Sequence, residues 1–341
     1  MVKHNTDTNG IGYEWEYAKV KDDRTIWQKI IMGIYNPSSH EFLGRSAKSW
    51  GEYIIIMRIS LMLRNIVIGG ILLFYAVFYS SLACMFGICM KVLLSTLNDH
   101  TPHFTLTNSI IGTNPGLGFR PMSPNVEDGS LIYYAADNAT NVEAWTNELD
   151  KFLAVYKNKT LLPDKGNNQQ KCGYNMPPQK DKVCEVSLAN MGPCSSEYKY
   201  QYPKAQPCVF IKLNKIFDWE PEFYNNKTDI PADMPQELKD KIAQRMKHEL
   251  FTIWVTCDGE APADKDNIGP LKLYPQDGFP GYYYPYRNKR DYLSPLIAIH
   301  FLNPKRHTLI NVECRAWAKN IFYKRSLQNR EGSVHFELMI D

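Results

Sequence analysis

Charge is what this chain goes longest without: from Asn65 to Met90 it has no Lys, Arg, Asp or Glu. A ~30 Å hydrocarbon core takes about 20 apolar residues at ~1.5 Å each, so the run from Ile66 to Met90 reads as a membrane span rather than a soluble core helix. Cysteine is scarce as well. None precedes Cys84, and six of the eight (Cys172, Cys184, Cys194, Cys208, Cys257 and Cys314) lie beyond the span, as expected if that side is oxidising and holds three disulfides. No G-x-S-x-G elbow, H-E-x-x-H helix or Gly-rich phosphate loop occurs, which removes the usual signatures of serine hydrolases, zinc proteases and P-loop enzymes. The net charge is only +3, too small to argue for a nucleic-acid partner.

The flanks of the span give its direction. Lys3, Lys19, Lys21, Arg24, Lys29, Arg45, Lys48, Arg58 and Arg64 precede it, whereas Lys91 is followed by no Lys or Arg until Arg120. Positive residues stay inside, so the N-terminus is expected to be cytoplasmic and the chain a single-pass type II protein. The apolar run begins too far in and is too long for a cleaved signal peptide. The complete glycosylation sequons at Asn138, Asn158 and Asn226 all fall beyond the span, and the Asn36-Pro-Ser string before it is disqualified by its proline.

Five segments follow. Residues 1–50 read as a cytoplasmic tail, with Trp27, Ile30, Ile31, Met32 and Ile34 able to form a short amphipathic helix at the inner membrane face. Residues 51–70 are apolar but carry Arg58 and Arg64, each costing roughly 2.5–3.5 kcal/mol at a helix centre. They are expected to extend the span as a cationic helix whose Arg side chains snorkel to headgroups. Residues 71–94 are the transmembrane helix. Residues 95–130, with Pro102, Pro115, Pro121 and Pro124, read as an extended stalk, and 131–341 as a disulfide-bonded, glycosylated ectodomain.

Within the ectodomain, Val142, Trp145, Leu149, Phe152 and Tyr156 recur at helical spacing, and a second helix is expected from Pro235 to about Leu250 with Leu238, Ile242 and Met246 on one face. The rest is strand-like: 208–217, 251–257, 269–274, 295–303, 308–318 and 334–340 are rich in β-branched and aromatic residues between Pro, Gly and Asn. The expected fold is therefore one transmembrane α-helix plus a mostly-β ectodomain, an immunoglobulin-like β-sandwich with one or two helices. Cys257 and Cys314 both fall in strands, and a bridge between them can join either two sheets or two neighbouring strands.

Chemistry-bearing residues are few. His100 and His103 stand two apart with no acidic or cysteine set to complete a metal site. Asp264-Lys265-Asp266 is similar to the metal-nucleotide Asp-x-Asp motif of Golgi glycosyltransferases, although no βαβ alternation precedes it. A type II glycosyltransferase is one alternative reading and a cell-adhesion glycoprotein the other. No metal or cofactor is expected.

Several strings together resemble one family. They are LGRSAKSW before the membrane, LLFYAVFYSSLA within it, and PCVFIKLNKIFDWEP, WVTCDGE, ADKDNIGPLKLYP, GFPGYYYPY and YLSPLIAIHFLNP beyond it. The chain is similar over nearly its whole length to the β subunits of the P-type Na,K-ATPase and H,K-ATPase, the invertebrate sodium-pump type above all. The resemblance implies a non-catalytic subunit. Such a subunit helps a catalytic α subunit fold, reach the plasma membrane and handle K⁺. It implies consecutive disulfides, Cys172 with Cys184, Cys194 with Cys208 and Cys257 with Cys314. It places Tyr75, Phe78 and Tyr79, spaced three and four apart on one helix side, against the α subunit in the membrane. Tyr283, Tyr284 and Tyr286 are the candidate α contact outside, since Tyr rings give large contact area at low entropic cost; packing inside the ectodomain is the other reading. Two departures stand out. Arg287 replaces a common Tyr. Residues 51–70 are extra between Trp50 and Ile71, and because Gly51-Glu52-Tyr53 can be encoded as GGTGAGTAT, a splice-donor string, a retained in-frame intron is expected, with a genuine isoform as the competing reading.

Overall fold

The computed structural model describes residues 25–98, 100–226, 229–325 and 330–341. Of the basic residues that set the orientation, Lys3, Lys19, Lys21 and Arg24 lie outside these. The chain divides into two units, one ending at Leu94 and the other Ser95–Asp341.

In the first unit, Thr25 starts helix α1 (Ile26–Ile34) by taking a Gln28 Oε1 contact on its own N–H at 3.1 Å. The expected short helix is present, with Ile26, Trp27, Ile30, Ile31 and Ile34 all exposed. Three two-residue strands follow, β1 (Tyr35–Asn36), β2 (Glu41–Phe42) and β3 (Arg45–Ser46), in one antiparallel sheet. They dock on the start of α2 (Ala47–Ser95): Trp50 Nε1 donates to Phe42 O at 2.7 Å, and the Arg45 guanidinium lies 4.9 Å from the Tyr53 ring centroid. One uninterrupted helix thus runs through both 51–70 and 71–94. Its 49 residues make a rod of roughly 74 Å, more than twice what a bilayer core takes, so helix length alone does not choose the embedded part. Arg64 and Lys91 bound its uncharged stretch.

The second unit is mostly β. Strands β4 (Leu117–Arg120) and β5 (Leu131–Tyr134) precede α3 (Ala139–Lys157); β6 (Gln169–Gln170) and β7 (Val183–Cys184) form a small parallel pair. Then come β8 (Cys208–Leu213), α4 (Gln236–Gln244), β9 (Thr252–Gly259), α5 (Pro262–Ile268), β10 (Leu271–Tyr274), β11 (Gly278–Pro280), β12 (Ile297–Phe301), β13 (Ile310–Trp317) and β14 (Ser333–Ile340). Two sheets result, β10-β12-β8-β4 and β11-β9-β13-β14-β5. Every pairing in them is antiparallel except β5 with β14.

One core joins the sheets. Phe336 of β14 stacks on Phe119 of β4 at 5.0 Å and meets Phe301 of β12 edge-on at 6.3 Å. Along β13, Ile310, Val312, Cys314 and Ala316 are buried while Asn311, Glu313 and Arg315 are not, the period-2 signature of a half-covered strand. Helix α3 lays Val142, Trp145, Leu149 and Leu153 on this core, and Trp145 Nε1 satisfies Tyr133 O at 2.8 Å.

Two expectations are corrected. The stalk reading of 95–130 does not hold throughout, because Leu117 and Phe119 are buried and β4 pairs in register with β8, Leu117 opposite Leu213. An edge strand can be this short and sit among prolines, since only one side needs ladder donors. The helix expected from Pro235 to Leu250 ends at Gln244. Leu238 and Ile242 are buried as expected, but Met246 lies past the helix and is exposed.

Candidate functional site

The residues singled out in the sequence fall into several separate places. In α2, Tyr75 stacks on Tyr79 at 5.9 Å and Phe78 meets Tyr79 edge-on at 5.4 Å, so the three share one face as their spacing requires. Phe74 stacks on Phe78 at 6.1 Å and widens that face.

The tyrosine turn is built differently from a flat contact surface. Tyr283 OH donates to Glu185 O at 3.0 Å, and Tyr284 packs edge-on against Trp219 at 6.0 Å with its hydroxyl enclosed and unpartnered. Burial, then neighbouring tyrosines, holds the Tyr284 hydroxyl well above its ordinary pKa. Tyr283 and Tyr284 are half-buried, and their hydroxyls are taken up within the unit. Tyr286, also half-buried, lies at 4.9 Å from Tyr292, with Lys215 Nζ 5.0 Å and 5.1 Å from the two ring centroids. Arg287, the departure from the family string, has a local reason: its Nε donates to Asp218 Oδ1 at 2.6 Å and its Nη2 lies 3.6 Å from Glu220. An ion pair there fixes the turn to the segment after β8.

The disulfides are Cys172–Cys184, Cys194–Cys208 and Cys257–Cys314. Cys257 and Cys314 stand directly opposite each other in β9 and β13, so their bridge joins neighbouring strands of one sheet, not two sheets. The three sequon asparagines are exposed. Two of them bracket α3: Asn138 Oδ1 accepts from the N–H groups of Thr140 and Asn141 at 3.1 and 3.3 Å, and Asn158 Oδ1 accepts from Thr160 N and Oγ1 at 3.0 and 2.7 Å. In both, the side-chain oxygen does the local bonding.

The Asp264-Lys265-Asp266 string does not make a nucleotide site. It lies in α5, a helix announced by Pro262 at its first turn and overlooked in the sequence. Asp264 is buried and accepts from Ala261 N at 3.1 Å and Asn311 N at 3.0 Å, whereas Asp266 is exposed. Gly259 lets α5 approach β9, because a Cβ there would sit 2.3 Å from the Asp264 carbonyl carbon. His100 uses its backbone O to accept from Asn288 Nδ2 at 3.3 Å. Among the described residues, no three His, Cys, Asp or Glu converge as a metal site.

Comparison with known proteins agrees with this arrangement. The profile of the family described as "Sodium / potassium ATPase beta chain" matches residues 65–336. The chain is 48% identical over 335 residues to the sodium/potassium-transporting ATPase subunit beta-2 of Drosophila melanogaster, covering 97% of both chains. It is 41% identical over 341 residues to the beta-1 subunit of the same organism, covering 100% of both, and 30% identical over 332 residues to the human beta-2 subunit, covering 92% of this chain and 94% of that one. One long apolar helix, a mostly-β disulfide-bonded unit and similarity along the full length place this chain in the sodium/potassium ATPase beta chain family.

Proposed function

We propose that this chain is the non-catalytic β subunit of a Na⁺/K⁺-transporting P-type ATPase, assisting the folding, membrane delivery and K⁺ handling of a catalytic α subunit. The observation that carries the reading is end-to-end similarity to relatives named as β subunits of that pump. On this reading the chain spans the plasma membrane once with its N-terminus in the cytoplasm, and the two sheets form an immunoglobulin-like sandwich outside. Asn138, Asn158 and Asn226 carry glycans. Tyr75, Phe78 and Tyr79 meet the α subunit within the bilayer, where close side-chain packing drives helix association, and the turn of Tyr283, Tyr284 and Tyr286 meets it outside. The glycosyltransferase alternative is not favoured, since Asp264 spends its carboxylate on backbone N–H groups.

Recovery of the full-length chain from membranes, with identification of what accompanies it, tests the proposal. A ten-helix P-type ATPase at near-equal stoichiometry is expected, and Tyr75→Leu with Tyr79→Leu should reduce that recovery. A chain recovered alone would overturn the function; undiminished recovery of the double variant would overturn the membrane face.

A further inference from the structure

Just past the end of β12 lies a cavity of 550 Å³, lined by Lys204, Gln206, Asp266, Asn267, Asn303, Lys305 and Arg306 among others. Several cations of this unit stand beside carboxylates: Arg287 with Asp218, Arg290 with Asp164, Arg315 with Asp233, Arg330 with Glu260 and Glu313. Lys204, Lys305 and Arg306 are set apart by lining one cavity together. All three are exposed, and among the described residues none forms an ion pair. Three cations against the one Asp266 carboxylate leave this concavity net positive, a field that attracts an anion. That field reaches inward as well: burial, then Lys272 and Lys204, holds the His300 imidazole below its ordinary pKa.

The cavity is held in shape by hydrogen bonds to backbone carbonyls. Lys305 N–H donates to Asn267 O at 2.9 Å, Leu302 N–H to Pro270 O at 3.0 Å, and Gln206 Nε2 to Leu302 O at 2.6 Å. Gly269, at φ +69°, permits the approach of the 303–306 loop, since a Cβ there would lie 2.3 Å from Asn303 O. A site whose walls are already fixed loses less entropy on binding. Its polar groups suit a hydroxylated anion. The three cations supply charge-assisted donors to a sulfate or carboxylate, while the Asn267 and Asn303 amides, the Gln206 Oε1 and the exposed Asp266 carboxylate can pair with sugar hydroxyls.

We propose that this cavity binds an acidic sugar, a sulfated or carboxylated unit of an extracellular glycan. The choice of sugar over other anions rests on the outward-facing topology proposed above, because acidic glycans are the abundant polyanions on that side. The test uses the full-length chain in nanodiscs at about 0.15 M salt, with a heparin octasaccharide (sulfate and carboxylate) and a hyaluronan octasaccharide (carboxylate alone) as probes. Binding of at least the heparin fragment is expected. Combined Lys204→Ala, Lys305→Ala and Arg306→Ala should weaken it roughly tenfold, as three screened charge contacts imply, whereas the Arg/Lys exchange Lys204→Arg, Lys305→Arg, Arg306→Lys should retain it. Lys289→Ala with Arg290→Ala, at the other end of β12, should leave it unchanged. Unaltered melting temperature shows that the triple variant is folded; if it is not, the single Lys305→Ala variant, expected to weaken binding about twofold, replaces it. No binding, or equal loss in the two alanine sets, overturns the site. Binding of phosphatidylserine vesicles in preference to both sugars overturns the ligand class. Labelling of Lys305 on intact cells by an impermeant amine reagent separates the two premises: heparin binding by the purified chain without surface labelling overturns the topology and, with it, the sugar as ligand.

Discussion

Asp264 Oδ1 lies 3.0 Å from the backbone nitrogen of Asn311, and that contact, with the Asn311 side-chain amide 3.4 Å from both carboxylate oxygens, fastens α5 to β13. The other oxygen of the same carboxylate caps the helix through Ala261 N. Asp264→Ala would orphan two backbone donors, and unsatisfied groups of this kind cost about 1–3 kcal/mol each. The expected outcome is a clearly lowered melting temperature for Asp264→Ala and almost none for Asp266→Ala. Equal effects of the two would contradict the capping role.

The tyrosine turn separates ring packing from surface contact. Tyr284 keeps an enclosed hydroxyl with no partner, and removing an unpartnered buried polar atom is neutral or stabilising. Tyr284→Phe should therefore match or exceed the parent in thermal melting, while Tyr284→Ala should lose about 3–5 kcal/mol through the cavity left behind. Tyr286→Ala should leave melting nearly unchanged and show its effect only in co-purification of the α subunit.

Acid should weaken the cluster around Glu260, which lies 2.8 Å from Arg330 Nη2, 3.2 Å from Arg325 Nη2 and 2.7 Å from His335 Nδ1. Burial raises the Glu260 pKa, but the hydrogen bond and charge of Arg330, the charge of His335 and the hydrogen bond from Arg325 together outweigh it, and the net value is lowered. A carboxylate lowered in the folded state adds stability above its unfolded value of ~4.3 and loses it as the pH falls through the folded value. Melting of the parent should drop more steeply than that of Glu260→Gln below about pH 4.3, and the two curves should converge in acid. Parallel curves would show that Glu260 carries no such linkage.

Glycosylation and helix capping at Asn138 can be pulled apart. Thr140→Ala destroys the sequon but keeps the Asn138 cap on α3, whereas Asn138→Ala destroys both. Both variants should lose the same glycosidase-sensitive gel shift. Only Asn138→Ala should lose a further ~1 kcal/mol of stability, the usual value of an N-cap.

What the sequence determined by itself was set by neighbours along the chain. The uncharged run after Arg64 specifies a helix for lipid because no side chain in it demands water. The alternation Ile310, Val312, Cys314, Ala316 specifies a half-buried strand because the pleat sends successive side chains to opposite faces. The disulfide partners came from family resemblance, since six cysteines admit many pairings. The tertiary structure alone decided what depends on residues distant in sequence. It drew β4 out of a proline-rich segment to pair with β8, set Cys257 against Cys314 in one sheet, gave the Tyr283 hydroxyl the Glu185 carbonyl and enclosed that of Tyr284. It also took Asp264 out of consideration as a metal ligand by giving it the N–H of Asn311, 47 residues away. A carboxylate's chemistry is fixed by which donors reach it, and those donors arrive only when separate segments pack.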